Sequence, residues 1–392
     1  MITKVKSSKI LYKLYSIFGN FFFIFLRKVY KKKENIILFS SFGGKSVDDS
    51  PRILFEAMRN DYRYSNYKLI WALSDPSSHQ NRLFNVVKID SLKFYILCLK
   101  SKVWITNSSM QRGLKIKDKS TIYLNTWHGT PLKHMGKDII SLSESFNIRE
   151  DKVDVDIFLV QSMYEKEIFK KAYGLQDEIF LENGLPRNDE LISPISNEVI
   201  NEIRKKLHIA VNSKVILYAP TFRMNGIDKN GKMNFDPNLN FNTFLKELGE
   251  DVTLLIRGHY ESSIQLDDVA KNAQVIDVSN YPNINELFKV SDMLISDYSS
   301  VFFDFSITEK PMIAYLFDYE EYNLGRGMYF DIRKYIDYSQ TQEGLVEMIR
   351  NELVHKKSEK TILFRNKFVD WYGNSTTSAL DKVYNELTSK EK

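Results

Sequence analysis

Cysteine is almost absent from this chain, since Cys98 is the only one among its 392 residues. A single thiol excludes an internal disulfide framework and a zinc site built from several cysteines, and it leads us to expect an intracellular setting. Cys98 lies in an apolar run and is predicted to be a core residue. An internal sequence repeat is also missing, while 43% hydrophobic and 27% charged residues are typical of a globular protein with room for two domains.

Acidic residues are missing from the first 33 positions, which carry nine basic residues. Because the formal charge of the whole chain is +5, the remaining residues have a net charge of −4. The sequence therefore describes an acidic globular body with a basic N-terminal extension. Nucleic-acid binding by the body is not expected.

The extension also lacks an uninterrupted apolar run long enough to span a bilayer, which takes about 20 residues. Apolar side chains instead recur at helical spacing, at Ile10, Leu11, Leu14, Ile17, Phe18, Phe21, Phe22 and Phe25. No small-residue cleavage site of a signal peptide precedes the basic cluster. We predict that residues 1–34 form a basic amphipathic helix, attached peripherally to the anionic cytoplasmic face of the cell membrane. Packing of this helix on the protein's own core is the alternative.

Apolar strands alternate with helical segments along the rest of the chain. The clearest predicted strands lie at 35–41, 67–73, 102–106, 121–127, 156–160, 214–219, 252–256, 273–278, 293–295 and 311–316. This alternation predicts an α/β fold with a parallel, doubly wound sheet in each half. A polar, proline-containing interval at 192–200 is the predicted boundary, which gives three segments at 1–34, 35–193 and 194–392.

The most distinctive motif follows the predicted strand at 121–127. The strand ends at His128 and Gly129, and the Thr-Pro pair after them is typical of a helix start. This order places an imidazole at the carboxyl end of a parallel strand, where open α/β sheets bind ligands. Free N–H groups of a helix start would suit an anion there. A packed or solvated histidine is the alternative, and we favour it for His134.

Three predicted strands of the second half also lead into charged or polar side chains. They lead to Arg223, to the pair Arg257 and His259, and to the run 296–300. Parallel strands share a carboxyl edge, so these groups are expected to converge, with His128 facing them across a cleft between the halves. Arginine and serine suit phosphate oxygens, and histidine transfers protons near neutral pH. The set predicts phosphoryl chemistry on a nucleotide diphosphate.

Two further motifs are not assigned to this chemistry. Residues 43–46 resemble the end of a P-loop, but Phe39 stands where its first glycine belongs. Asp154 and Asp156 precede a strand, which is the wrong edge for a metal-bound nucleotide sugar, so a solvated loop is predicted. Capping a helix is the alternative role for Asp297 and the serines after it. The sequence contains no metal-ligand cluster, and Mg²⁺ on a pyrophosphate is left open.

Five motifs resemble those of one known family. They read W-H-G-T-P-L-K, G-L-P-R-N-D, A-P-T-F-R, R-G-H and S-D-Y-S-S-V-F-F-D, at residues 127–133, 184–189, 219–223, 257–259 and 296–304. They resemble the CDP-glycerol:poly(glycerophosphate) glycerophosphotransferases, which are the wall teichoic acid primases and polymerases of Gram-positive bacteria, with related capsule enzymes. The resemblance implies a GT-B-like fold of two Rossmann-type domains with the active site between them.

The same resemblance implies an activity and a role for each motif. Glycerol phosphate would pass from CDP-glycerol to a hydroxyl of a lipid-linked, undecaprenyl-type glycan or poly(glycerol phosphate), with release of CMP. His128 would be the general base on the acceptor. His259, with Arg257, would neutralise the donor pyrophosphate, and Ser299 and Ser300 would hold its phosphates. The other implied substrate-binding positions are Gly129, Thr130, Arg223 and Asp297.

The sequence leaves the donor, the pathway, the oligomeric state and two rival functions open. The donor alditol is glycerol or ribitol, the pathway is teichoic acid or capsule synthesis, and a homo-oligomer is left open. No cofactor beyond the donor is predicted. A GT-B glycosyltransferase that uses a nucleotide sugar is the first rival function. A non-catalytic adaptor on the membrane surface, with a degenerate nucleotide pocket, is the second.

Overall fold

A computed structural model of the chain describes residues 9–30, 32–79, 84–139, 154–194, 196–221, 233–234, 238–258, 262–263 and 274–391. The chain packs into two compact units. Residues 1–128, 135–189 and 371–392 form the first unit, and residues 129–134 and 190–370 form the second. The chain therefore first passes from one unit to the other at the His128–Gly129 peptide bond.

The first unit is built on a seven-stranded parallel sheet. Its strands are β1 (Glu34–Ser40), β2 (Lys68–Leu73), β3 (Asn85–Lys88), β4 (Ser101–Thr106), β5 (Ile122–Asn125), β6 (Ile157–Val160) and β7 (Phe180–Glu182). They lie side by side in the order β3-β2-β1-β4-β5-β6-β7. Central strands of a parallel sheet are covered on both faces, which explains runs of fully buried residues such as 37–39. The strand order reverses between β1 and β4, and such a switch point is where doubly wound sheets bind ligands.

Four helices accompany these strands. Helix α1 (Lys9–Val29) precedes β1, whereas α2 (Asp49–Asn60), α3 (Leu92–Lys100) and α4 (Met163–Tyr173) each connect two strands. Serine caps set the starts of α3 and α4, because Ser91 Oγ accepts from Phe94 N at 3.2 Å and Ser162 Oγ accepts from Glu165 N at 3.1 Å.

The second unit repeats this architecture. Its strands are β8 (Lys214–Tyr218), β9 (Met233–Asn234), β10 (Val252–Ile256), β11 (Ser262–Ser263), β12 (Val275–Asp277), β13 (Met293–Ser296), β14 (Met312–Tyr315) and β15 (Asp337–Ser339). Six of them form a sheet in the order β12-β10-β8-β13-β14-β15, and β9 pairs with β11 separately. Its helices, counted from the one that leads into this unit, are α5 (Asp189–Ile192), α6 (Asn197–Lys206), α7 (Phe241–Leu248), α8 (Ile284–Val290), α9 (Val301–Ser306), α10 (Tyr319–Arg326), α11 (Gln342–Glu352) and α12 (Glu359–Phe368). The switch point of this sheet lies between β8 and β13.

The last helix, α13 (Ser375–Glu391), returns to the first unit. Its apolar face enters the same core cluster as β1, through Ala379, Leu380, Val383 and Leu387. The Asp189 carboxylate holds the entry to this helix by accepting from the N–H groups of Gly373, Ser375 and Thr376. The predicted segments 35–193 and 194–392 differ from these units at this C-terminal helix, at residues 129–134 and at residues 190–193. The difference arises because a helix's apolar stripe does not reveal which core will bury it.

The helix predicted after His128 is wrong. Residues 129–135 form no helix. Lys133 instead pairs with Met328 in an antiparallel bridge, and His134 N donates to Gly327 O at 3.1 Å. Pairing with a distant segment of the second unit satisfies these backbone groups, so tertiary structure overrides the local Thr-Pro signal.

Helix α1 is held along one side by the first unit. Phe23 is buried with its ring centroid 5.3 Å from that of Tyr95, and Asn20 Oδ1 accepts from Lys115 N at 2.7 Å. The other side exposes large apolar side chains, at Leu11, Leu14, Ile17, Phe18, Phe21, Phe22, Ile24, Phe25 and Val29. Within the described ranges, no helix combines the length and the apolar character needed to cross a bilayer.

Candidate functional site

His128 lies beyond the carboxyl end of β5, beside the switch point of the first sheet. Trp127 has a left-handed φ of +50°, and its indole stacks on the His128 imidazole with ring centroids 4.6 Å apart and planes 20° apart. The indole is itself buried against Phe158 and Phe169. A rigid aromatic cluster therefore fixes one face of the imidazole, while His128 as a residue stays exposed.

The two nitrogens of the His128 ring are distinguished by one hydrogen bond. Nδ1 lies 2.6 Å from the backbone oxygen of Asn107. Because a carbonyl oxygen can only accept, Nδ1 carries the hydrogen, and in the neutral ring the basic lone pair lies on Nε2. An exposed imidazole with one nitrogen held and the other basic is suited to take a proton from a hydroxyl.

Asp297 lies at the switch point of the second sheet. It is 2% exposed, and its Oδ1 accepts from Thr221 N at 2.8 Å and from Tyr298 N at 2.7 Å. These bonds tie the loop after β8 to the loop after β13. The carboxylate thus has a structural role in shaping this edge, and the predicted contact with a donor stays a prediction.

Arg257 follows β10 at the same edge. Its guanidinium Nη1 donates to the carbonyls of Val278 at 3.2 Å and Tyr281 at 2.7 Å. The next residue supports the same loop, because Gly258 N donates to Ser279 Oγ at 2.9 Å. Arg257 therefore clamps the loop after β12, and its predicted role toward a pyrophosphate stays a prediction.

Two of the predicted site residues, Gly129 and Ser300, are in close contact within the second unit. Gly129 has a φ of +153°, and a β-carbon built on it would lie 2.4 Å from Ser300 Oγ and 2.8 Å from Ser300 Cβ. Only glycine fits here, because both the dihedral angle and the distance exclude a side chain. Ser300 directly precedes α9, and Ser299 Oγ accepts from Val301 N at 3.3 Å in the first turn of this helix. Thr130, the residue after Gly129, is buried.

Gly129→Ala is expected to lower turnover at least about tenfold, because it must displace the chain next to His128 by roughly an ångström, and misplacements of this size are costly. Gly249→Ala is the matched control. Gly249 also has a positive φ, of +97°, but no atom lies within 4 Å of a β-carbon built there. The control should lose about 1 kcal/mol of stability and no activity. Steady-state kinetics measure turnover, and thermal unfolding measures the stability of both variants. Wild-type turnover in Gly129→Ala would contradict the close contact between Gly129 and Ser300.

Arg223 and His259 lie outside the described residues. The sequence-based interpretation also missed a buried group around His128, formed by Asp49, Asn107 and Arg187. Asn107 directly follows a predicted strand, which is the signal that identified the other site residues. In the described part of the chain, no group of three or more His, Cys, Asp and Glu side chains could hold a metal ion.

The chain is similar to known proteins over most of its length. The family model for CDP-Glycerol:Poly(glycerophosphate) glycerophosphotransferase matches residues 20–387. The teichoic acid poly(glycerol phosphate) polymerase of Bacillus spizizenii is 32% identical over 377 residues, which cover 92% of this chain and 95% of the relative. The polymerase of the same name from Staphylococcus epidermidis is 36% identical over 310 residues. That match covers 76% of this chain but 43% of the longer relative.

A solved structure is similar over nearly the whole chain. It is a variant of the wall teichoic acid polymerase TagF, soaked with CDPG, with a TM-score of 0.83 and 31% identity. The similarity covers 93% of this chain and 94% of the solved one. The prediction of an α/β, GT-B-like fold with two Rossmann-type sheets is confirmed.

Proposed function

Since the chain belongs to the CDP-glycerol:poly(glycerophosphate) glycerophosphotransferase family, we propose that it transfers glycerol phosphate from CDP-glycerol to a hydroxyl group of a cell-surface polymer precursor. The acceptor is a lipid-linked glycan or poly(glycerol phosphate), and the product left behind is CMP. The observation that carries this proposal is the Nδ1 hydrogen bond of His128, because it leaves Nε2 as a base at the sheet's ligand-binding edge.

His128 Nε2 takes the proton of the acceptor hydroxyl as its oxygen attacks the β-phosphorus of the donor. A new oxygen–phosphorus bond forms, and the bond from the β-phosphorus to the oxygen bridging the two phosphates breaks. CMP leaves with that electron pair. Positioning and electrostatic stabilisation supply most of the rate enhancement in phosphoryl transfer.

Groups of the second unit would bind the donor and neutralise the negative charge of its phosphates. Ser299 and Ser300 would donate to the phosphates, and Arg257 and His259 would neutralise the pyrophosphate. Thr130, Arg223 and Asp297 complete the proposed donor-binding set, with Gly129 keeping the chain close to Ser300.

Helix α1 is proposed to attach the enzyme to the membrane that carries its lipid-linked acceptor. One side of the helix is fastened to the first unit, so its opposite apolar side has no core of its own to enter. Phe18, Phe21 and Phe25 are more than 60% exposed there. Lys28 and Lys32 are exposed, follow closely and would attract anionic lipids of the cytoplasmic leaflet.

A donor screen tests the proposed function. The purified full-length chain is incubated with CDP-glycerol, CDP-ribitol or a UDP-sugar and a synthetic lipid-linked acceptor, with Mg²⁺ or with EDTA, and products are read by mass spectrometry. We expect CMP and acceptors extended by glycerol phosphate. The names of the two relatives above favour glycerol over ribitol. Release of a nucleoside diphosphate would instead identify a glycosyltransferase, and no turnover with any donor would favour the adaptor.

A further inference from the structure

A buried ion pair lies close to His128 in the first unit and has no part in the proton transfer. Arg187 Nη1 is 3.0 Å from Asp49 Oδ1, and the two side chains are 8% and 6% exposed. Burial raises the pKa of Asp49, but the positive charge of Arg187 and the hydrogen bonds from Ser50 N and the Asn107 side chain outweigh this effect. The pKa therefore lies below its ordinary value, and the carboxylate is charged at neutral pH.

Stability alone does not account for this pair. Removing two charges from water costs about as much as their attraction returns, so buried ion pairs are weak stabilisers. Asp49 also has a left-handed φ of +62°. Phe42 and Trp127, in the neighbouring loops, have positive φ angles of 47° and 50°. Backbone strain of this kind collects at functional sites, where the surrounding structure enforces it.

Asn107 connects the ion pair to the imidazole. Its Nδ2 donates to Asp49 Oδ2 at 2.9 Å, and its Oδ1 accepts from Phe42 N at 2.7 Å. Both ends of the amide are therefore engaged, and Asn107 is fully buried. The backbone oxygen of the same residue accepts from His128 Nδ1 at 2.6 Å. The position of that oxygen thus depends on the Asn107 side chain, and through it on Asp49 and Arg187.

We propose that Arg187, Asp49 and Asn107 form a positioning chain that fixes the orientation of the His128 ring and keeps its hydrogen on Nδ1. The inference rests on the proposed role of His128 as the general base. If the hydrogen moved to Nε2, the ring would present a donor to the acceptor hydroxyl and could not take its proton. None of the three residues is catalytic, since each acts through the next.

The charges of Asp49 and Arg187 largely cancel, so the positioning chain acts on His128 by holding its ring in place and not by electrostatic attraction. A substitution that weakens the positioning chain should lower kcat without changing the KM for CDP-glycerol. It should also move the acidic limb of the pH–rate profile, where the general base His128 loses its proton, to lower pH. The hydrogen bond from Nδ1 to the carbonyl stabilises the imidazolium, and a weaker bond makes the ring less basic.

The test compares Asn107→Ala and Asp49→Asn with wild type. We expect kcat to fall about 10- to 100-fold, the size of loss that follows when the partner orienting a metal-bound histidine is removed. The ¹⁵N shifts of labelled His128 should change from a pure Nδ1–H ring to a mixture of tautomers. Asn107→Ala leaves the ion pair between Asp49 and Arg187 intact. If Asp49→Asn does not fold, kcat and the ¹⁵N shifts of Asn107→Ala are sufficient for the test. Asp61→Asn is the control, because it removes a carboxylate from an ion pair with Arg63 in the same unit.

The outcomes separate this inference from the proposed function. Folded Asn107→Ala and Asp49→Asn variants with wild-type kcat and an unchanged Nδ1–H ring would overturn the positioning chain. His128→Ala is included in the same assay. If wild type does not turn over CDP-glycerol, or if His128→Ala does so at the wild-type rate, the proposed function or its base fails instead, while the ¹⁵N spectra still report on positioning.

Discussion

Replacing His128 with alanine is expected to lower kcat for glycerol phosphate transfer about a thousandfold, within the range that general base catalysis contributes. The donor should still bind, because the proposed phosphate contacts belong to the second unit and not to this ring. Steady-state kinetics measure the first effect, and calorimetric titration with CDP-glycerol measures the second. A fall in kcat without a loss of donor affinity identifies a group that acts in the transition state.

His134→Ala is the matched control for this prediction. It removes the other imidazole of the same motif, whose ring packs edge-on against Tyr329 with centroids 4.9 Å apart. Losing that contact should reduce stability by about 1 kcal/mol. It should leave kcat within a few-fold of wild type. Equal losses of turnover in the two variants would mean that the motif is needed for its shape, and the assignment of His128 as the base would fail.

Replacing Phe18, Phe21 and Phe25 with serine is expected to weaken binding to anionic vesicles about 100-fold or more. The three rings are 70%, 76% and 61% exposed and lie on one side of α1. Burial of a phenylalanine side chain is worth about 1.5–3 kcal/mol, and partial insertion in the membrane interface yields part of this. If each ring contributes about 1 kcal/mol, the sum of about 3 kcal/mol corresponds to roughly a hundredfold change in affinity.

The control for this variant replaces Val211, Val354 and Leu363 with serine. These side chains are 89%, 73% and 67% exposed but lie outside α1. Co-sedimentation with vesicles that contain phosphatidylglycerol should separate the two triple variants, while both should turn over a water-soluble acceptor like wild type. Equal binding by the two variants would reject the membrane-facing helix. Loss of a dimer instead of loss of vesicle binding would identify the apolar side as an interface between two copies of the chain.

The helices and strands were largely predictable because their signals are local. The predicted strand 252–256 has the observed bounds, and the predicted strand 293–295 ends one residue before the observed one. Apolar periodicity and capping residues lie within the element that they specify. The segment after His128 was mispredicted for the opposite reason. Its Thr-Pro pair is a helix signal, but Lys133 is paired with Met328, nearly 200 residues away.

The roles of individual site residues were less predictable than their positions. Polar residues at strand ends marked Arg257 and Asp297 as site candidates, and both lie at the expected edge of the second sheet. Their described hydrogen bonds nevertheless run to the protein's own loops. A residue's type and strand position identify the edge on which it lies. They do not show whether its hydrogen-bonding capacity is used by a ligand or by a neighbouring loop.

The sequence by itself determined the two α/β halves and the family, and it singled out His128 as the proposed base, because these inferences depend on local periodicity and on motifs that are contiguous in the chain. Only the tertiary structure decided that α13 packs in the first unit and that Nδ1 of His128 is held by Asn107. The partners in that chain of contacts are 21 and 58 positions apart. Hydrogen bonds over such separations follow from strand order in the folded sheet, and they leave no periodic trace in the sequence.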